Sequence, residues 1–399
     1  MPPLDYRPRK LEALLKRVVR QYPVVTLTGP RQSGKTTLAR AAFPAKSYVS
    51  LEPLDQRDYA TSDPRGFLTE YGDGAIIDEV QHAPALAGYI QEIVDQDARP
   101  GRFILTGSQH FGLTQTVTQS LAGRTAMLTL LPLSLDERRA FGASAEDLFA
   151  VMLEGGFPRI HARGLPPQRW LADYVATYVE RDVRQLSNIG DLAAFTQFLK
   201  LCAGRTAQEI NLSALGGDAG VSHNTARAWL SVLEASYLVL RAPAWHRNLR
   251  KQLVKAPKLH FVDAGLACHL LGIRSAEELR HHPLRGALFQ SWVASEIGKH
   301  RLHRGAEMSI LHYRESRGVE VDILILEGSE LLACEVKSAA TIQAEFLSPL
   351  RTFAERMRGL SKPPRTRLRV LYGGEAGQKR KDVEVIGWRE IQDKSWLAG

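Results

Sequence analysis

The sequence predicts an α/β protein built from three successive units, and three observations lead to that reading. A chain of 399 residues is too long for one ordinary core. The stretch "YPVVTLTGPRQSGKTTLARAAF" reads as a strand, a Gly-rich turn and a helix, and the later apolar runs "GAIIDEVQ" and "GRFILTGSQ" end in polar residues, as strands of a parallel sheet do. Near the other end, "GVEVDILILEGSELLACEVKS" alternates like a strand pair and carries charged residues inside an apolar context. The expected order is an α/β unit over 1–150, a helical unit over 151–275 and a second α/β unit over 276–399.

Composition narrows the class. The apolar fraction of 44% and charged fraction of 24% belong to a folded chain and argue against long disorder. Net charge is +9 with a pI near 9.5, which favours an anionic partner such as nucleic acid or nucleotide, or serves solubility alone. Cys202, Cys268 and Cys334 are too few and too scattered for a metal signature or a disulfide framework, so a reducing, cytoplasmic setting is expected. No signal-peptide core opens the chain and no apolar run reaches membrane-spanning length, so no membrane partner is expected. Histidines such as His281 and His282 lack zinc-ligand spacing.

In the first unit, Gly29, Pro30, Arg31, Gln32, Ser33, Gly34, Lys35 and Thr36 form the Gly-x-x-x-x-Gly-Lys-Thr pattern between strand and helix, and Thr37 follows as a further nucleotide-binding candidate. Such glycines let backbone N–H groups wrap a phosphate chain at a helix N-terminus. Lys35 would neutralise the β- and γ-phosphates of ATP, and the Thr36 hydroxyl would ligate Mg²⁺. "GAIIDEVQ" ends in Asp78, which would hold the metal's water shell, and Glu79, which would polarise the attacking water. Thr106 and Ser108 lie at a third strand end, either orienting that water or serving as ordinary strand-end hydroxyls.

"LTGPRQSGKTT", "AIIDEVQ", "FILTGSQ" and "SLAGRTAMLTLLPLSLDE" together resemble the AAA-type ATPases of bacteria and archaea that carry a nuclease-like C-terminal domain of unknown function. The likeness continues through "GGFP", "YVERDV" and the strands around Glu335, nearly the whole chain. It implies a compact ATPase core at the N-terminus, and in "SLAGR" it puts Arg124 where a phosphate-sensing or trans-acting arginine would reach the γ-phosphate. The bland alternative is a helix ending in Arg for dipole reasons. A homo-oligomer or a protein partner is compatible with either.

The middle unit begins at "EGGFPR", a Gly-Gly turn with Pro158. "PPQRWLADYVATYVERDVRQL" reads as one amphipathic helix with Trp170, Tyr174, Tyr178 and Val179 toward a core, and with Arg181, Asp182 and Arg184 toward the nucleotide unit. The stretch from Ala193 to Trp245 has the order of a winged helix-turn-helix, with Ser222 capping its second helix. His223, Asn224, Thr225 and Arg227 on that helix are types able to read bases or hold DNA phosphates. Arg241, Arg247, Arg250, Lys251, Lys255 and Lys258 then form a strip without acids, suited to phosphates or simply solvated. Domain packing is the rival use of this unit.

In the last unit "GALFQSWVASEIGKHRL" reads as an amphipathic helix carrying Glu296. Asp322 sits between apolar residues, and Glu335 and Lys337, two apart, share one strand face about 7 Å apart. This is the Asp-(x)n-Glu-x-Lys pattern of the PD-(D/E)XK nucleases, whose helix–strand–strand order it resembles. That likeness implies Mg²⁺ held by Asp322, Glu335 and Glu296, with Lys337 acting on water or phosphate. The alternative is an inert ion cluster of Lys337 with the two carboxylates. Function therefore divides between a DNA-associated ATPase with a nuclease-like module and a regulatory NTPase whose inactive module binds a protein.

Overall fold

The computed structural model describes residues 6–107, 120–143, 146–179, 191–246, 256–315 and 318–393. Its first sheet holds five parallel strands in the order β2-β3-β4-β1-β5: β1 (Val24–Thr28), β2 (Ser47–Ser50), β3 (Ala75–Asp78), β4 (Phe103–Thr106) and β5 (Thr125–Thr129). Alternate strand residues feed two cores. Val25, Leu27, Ile76 and Ile104 pack with the helices Leu11–Val19 and Lys35–Ala42, while Val24, Ile77, Phe103 and Leu105 pack with the helix Leu86–Gln96. A parallel sheet covered on both faces needs such continuous apolar runs.

The helical region contains the helices Leu192–Gly204, Leu212–Asp218 and His223–Ala235, followed by the antiparallel pair β6 (Val239–Ala242) and β7 (Lys258–Phe261). Ser222 caps the third helix, accepting from the Thr225 N–H. The helix Pro167–Tyr174 passes into a π-turn over Val175–Val179, and its Trp170 and Tyr174 stack with centroids 5.2 Å apart, a core role. Arg181, Asp182 and Arg184 lie outside the described residues.

The last sheet is mixed, ordered β12-β13-β11-β10-β9-β8: β8 (Leu311–Arg314), β9 (Glu320–Glu327), β10 (Glu330–Lys337), β11 (Arg365–Tyr372), β12 (Gln378–Lys379) and β13 (Glu384–Gly387). Ile323, Ile325, Leu332 and Val336 pack toward the helix Arg285–His303, and Leu331, Ala333, Leu368 and Val370 toward the helix Ser348–Arg358. The Arg285–His303 helix departs from its amphipathic reading, because every residue from Leu288 to His300 is buried. It is the central rod of a core that runs from Leu135 to Ile391, shared by the helical region and the last sheet. The three cysteines are free and buried within this body.

Buried charge joins the N-terminal segment to the first unit. The Arg9 guanidinium donates to Glu137 (2.9 Å), to the Ser33 carbonyl (2.7 Å) and to the Leu131 carbonyl (2.8 Å). Glu137 also accepts from the Ser134 N–H in a capping box that starts the helix Leu135–Ala140. Burial works against the carboxylate, but Arg9 outweighs it and holds Glu137 down at about 2. Burial likewise keeps nearby His303 neutral, at about 4, so the guanidinium is the charge that counts at pH 7.

Since Glu137 titrates lower when folded, its contribution is complete above its ordinary value of 4.5 and is lost as pH falls toward 2. Glu137→Gln should cost about 3 kcal/mol at pH 7 and shrink the acid-side loss of stability between those values. Denaturant titrations of both proteins across that range check this; equal stabilities at pH 7 would contradict it.

Candidate functional site

The turn after β1 needs its glycines. Gly29 has φ +142°, and a Cβ there would sit 2.1 Å from the Leu130 carbonyl oxygen; Gly34, at φ +93°, starts the Lys35–Ala42 helix. The loop thereby leads straight into the helix N-terminus, where an anion is favoured. The Lys35 ammonium, buried, donates to the carbonyls of Gly29 (3.0 Å) and Pro30 (2.9 Å). Burial pulls it down to about 8, with Glu79 and Asp78 opposing.

Asp78 ends β3 beside this cradle. Its carboxylate accepts from the Thr36 hydroxyl (2.8 Å), the Tyr48 hydroxyl (3.1 Å) and the buried Thr106 hydroxyl. Thr106 therefore orients Asp78; Ser108 lies outside the described residues. Glu79 follows in a left-handed backbone (φ 56°) and accepts from the Gln81 amide. A non-glycine residue there is strained, a feature concentrated at functional sites. The Thr36 hydroxyl beside a hydroxyl-bound carboxylate suits Mg²⁺, which takes few protein oxygens and keeps waters and substrate phosphates.

These groups open onto a cavity of about 630 Å³, within the range of ligand sites. Arg31, Gln32, Gly34, Lys35, Thr36, Thr37, Asp78 and Glu79 line it, as do several residues that sequence reasoning missed. Arg9 and Arg7 come from the N-terminal segment, Glu52 from the loop after β2, and Arg159 and Arg163 from the helix Pro158–Arg163. The Gly155-Gly156 turn aims that helix. A Cβ on Gly156 would meet the Leu133 carbonyl at 2.6 Å, and the Gly156 N–H donates to buried Asp263 (2.7 Å). "EGGFPR" marks a boundary in the sequence and, in space, delivers Arg159 to the cavity.

Arg124 does not reach the phosphate cradle of its own chain. It precedes β5, whose Thr125 pairs with Val24 at the start of β1, whereas the phosphate cradle follows the end of β1. The length of a five-residue strand, about 16 Å, separates it from the cradle of its own chain. Its guanidinium binds the Asp95 carboxylate instead (2.9 Å).

Glu296 also falls elsewhere. It is buried and accepts from the Leu135 N–H (2.8 Å), Lys299 (2.8 Å) and Gln392 (2.7 Å), and so bonds the central helix to the first unit. Gln290 is the helix residue that reaches Asp322, donating to its carbonyl at 3.5 Å. Asp322 and Glu335 do approach one another, but ammonium groups attend them. Lys337 lies 2.5 Å from Glu335, and Lys258 lies 2.5 Å from Glu320 and 3.5 Å from Asp322. Burial and Asp322 push Glu335 upward. Among the described residues no group of three or more His, Cys, Asp or Glu is arranged to hold a metal, and this cluster does not fit Mg²⁺. Lys258 thus leaves the basic strip, Arg241 pairs with Glu234, and Arg247, Arg250, Lys251 and Lys255 lie outside the described residues. His223, Asn224 and Arg227 are exposed and Thr225 is half-buried.

Residues 21–138 match the family described as an AAA domain; residues 145–277 and 285–391 match two domains of unknown function, DUF8612 and DUF4143. The uncharacterized protein Rv2008c of Mycobacterium tuberculosis is 30% identical over 338 residues, 84% of this chain and 74% of its own length. The chain belongs to its family. The uncharacterized protein Mb2031c of Mycobacterium bovis matches with the same values. The N-terminal unit of this family member is an AAA-type P-loop domain, and the protein is an ATP-binding NTPase. Among solved structures, the Walker-type ATPase PABY2304 of Pyrococcus abyssi is 16% identical, with a TM-score of 0.46 over 66% of this chain and 95% of that one. RuvB of Thermotoga maritima is 19% identical, with a TM-score of 0.31 over 63% of this chain and 97% of that one. Among the described residues no helix is long and apolar enough to cross a membrane.

Lys35→Ala should abolish tight ATP binding. Glu79→Gln should retain binding and lower phosphate release on the order of 10²–10⁴-fold, the usual range for a general base. Nucleotide affinity and phosphate release on both variants check this, and wild-type turnover in Glu79→Gln would remove it from that role.

Proposed function

We propose that this protein hydrolyses ATP at the P-loop cavity and uses the nucleotide state to control a grip on duplex DNA. The supporting observation is the convergence of Lys35, Thr36, Asp78 and Glu79 on one cavity at the C-terminal edge of a parallel sheet. Lys35 moves its ammonium from the Gly29 and Pro30 carbonyls to the phosphates, and the loop amides hold the rest of the chain. Thr36 and Asp78 would hold Mg²⁺, which supplies charge neutralisation on the β- and γ-phosphates. Glu79 takes the proton of the attacking water, and Arg159 and Arg163 report nucleotide occupancy to the helical region.

A second link favours a switch. Tyr237 lies two residues past the helix His223–Ala235, after its C-cap Ser236, and adopts φ +57°, a costly conformation for a bulky residue. Its hydroxyl donates to Thr28 (2.8 Å), the residue before Gly29. The helix that exposes His223, Asn224 and Arg227 is thereby joined to the phosphate loop. We read it as the DNA-contacting helix of a winged helix-turn-helix, and the net charge of +9 favours an anionic polymer. The last unit, with a sheet and helix order like that of PD-(D/E)XK nucleases and lysines on its carboxylates, is read as gripping nucleic acid without cutting it.

The test is a titration of duplex DNA at several salt concentrations. Replacing Arg247, Arg250 and Lys251 with Ala should weaken binding and reduce the slope of log affinity against log salt by about 3. An unchanged slope would exclude the strip from the interface.

A further inference from the structure

Lys258 is the first residue of β7, and its side chain is 3% exposed. Its ammonium reaches across from the helical region to the last sheet, 2.5 Å from Glu320 Oε1 and 3.5 Å from Asp322 Oδ1. The other oxygen of Asp322 accepts from the Val336 N–H (2.9 Å), and Lys337 covers Glu335 Oε1 at 2.5 Å. Three carboxylates thus meet two ammonium groups. Arg314 also lies 3.9 Å from the other oxygen of Glu320, so a divalent ion added to this set would meet three cations and crowd both lysines.

Lys258 has little freedom to leave. Its backbone pairs with Ala242 across the β6–β7 ladder and bridges to Glu209 on the other side. An ammonium withdrawn from the carboxylates would remain buried without a counter-charge, which is strongly unfavourable. Asp322 would lose its neighbouring ammonium in the same step.

We propose that Lys258 is the resident cation of the Glu320–Asp322–Glu335 cluster, filling the place a divalent metal would take and locking the helical region to the last sheet. The inference stands apart from the nucleotide reading, since no group of the P-loop cavity enters it. It assigns the C-terminal cluster a metal-free, lysine-closed state.

The test counts Mn²⁺ bound to the full-length protein by calorimetry, with thermal unfolding as a second readout. Asp322→Asn serves as the reference, so that ions held by Thr36 and Asp78 cancel. Wild type and Asp322→Asn should bind the same number of Mn²⁺. Lys258→Met should unfold at lower temperature, gain one Mn²⁺ and recover part of its stability on binding, and the double variant Lys258→Met/Asp322→Asn should lose that ion again. One more Mn²⁺ on wild type than on Asp322→Asn would overturn the proposal, and this comparison stands even where Lys258→Met fails to fold. A folded Lys258→Met that gains no ion would overturn it as well, since the lysine would then be filling no cation site.

Discussion

The buried pair of Arg9 and Glu137 is the constraint on which the rest of the molecule depends. A guanidinium out of water must find an acceptor for nearly every donor, and Arg9 finds the phosphate loop through Ser33, the strand exit through Leu131 and the cap of the next helix through Glu137. The loop that would receive ATP is therefore shaped from outside its own motif. The same helix start donates its Leu135 N–H to Glu296, which Lys299 and Gln392 also hold. Buried charges form a path from the phosphate loop to the central helix of the last unit. Each step is costly to break, because removal of one member strands another in a low-dielectric interior.

Such a path gives a nucleotide switch something rigid to act through. Arg159 enters the cavity from beyond the Gly155-Gly156 turn, and that turn is pinned by Asp263, which also accepts from the Leu266 N–H to cap the helix Ala264–Leu270. Tyr237 makes a separate connection from the end of the His223–Ala235 helix to Thr28. A bulky side chain held in a left-handed backbone persists only where its surroundings over-determine it. Here those surroundings are the strand end that leads into the phosphate loop.

Much of the first unit was legible in the sequence because its chemistry is local. Gly29 to Thr37 is one uninterrupted stretch, and Asp78 and Glu79 end an apolar strand, so spacing alone brings them forward. The Ser222 cap was legible for the same reason. What failed was everything set by long-range packing. Arg9 meets partners 24, 122 and 128 residues away, and no pattern in its neighbourhood announces them. Glu296 and Gln290 lie on a helix buried all round, so no amphipathic stripe says which of them faces Asp322. Lys258 reads as part of a basic surface strip, yet it lies 62 residues before Glu320 and folds inward onto it. Arg124 follows a small motif whose strand direction, invisible locally, sends it to the far end of the sheet.

In the proposed switch, nucleotide occupancy at Lys35 is felt by the helix His223–Ala235 through Tyr237 and Thr28. Amide hydrogen exchange over 223–242, with and without a non-hydrolysable ATP analogue, tests it most directly. The account predicts a change in protection across this segment in the wild type, absent from Tyr237→Phe although that variant still binds the analogue. Exchange that is the same with and without the analogue in the wild type would contradict it.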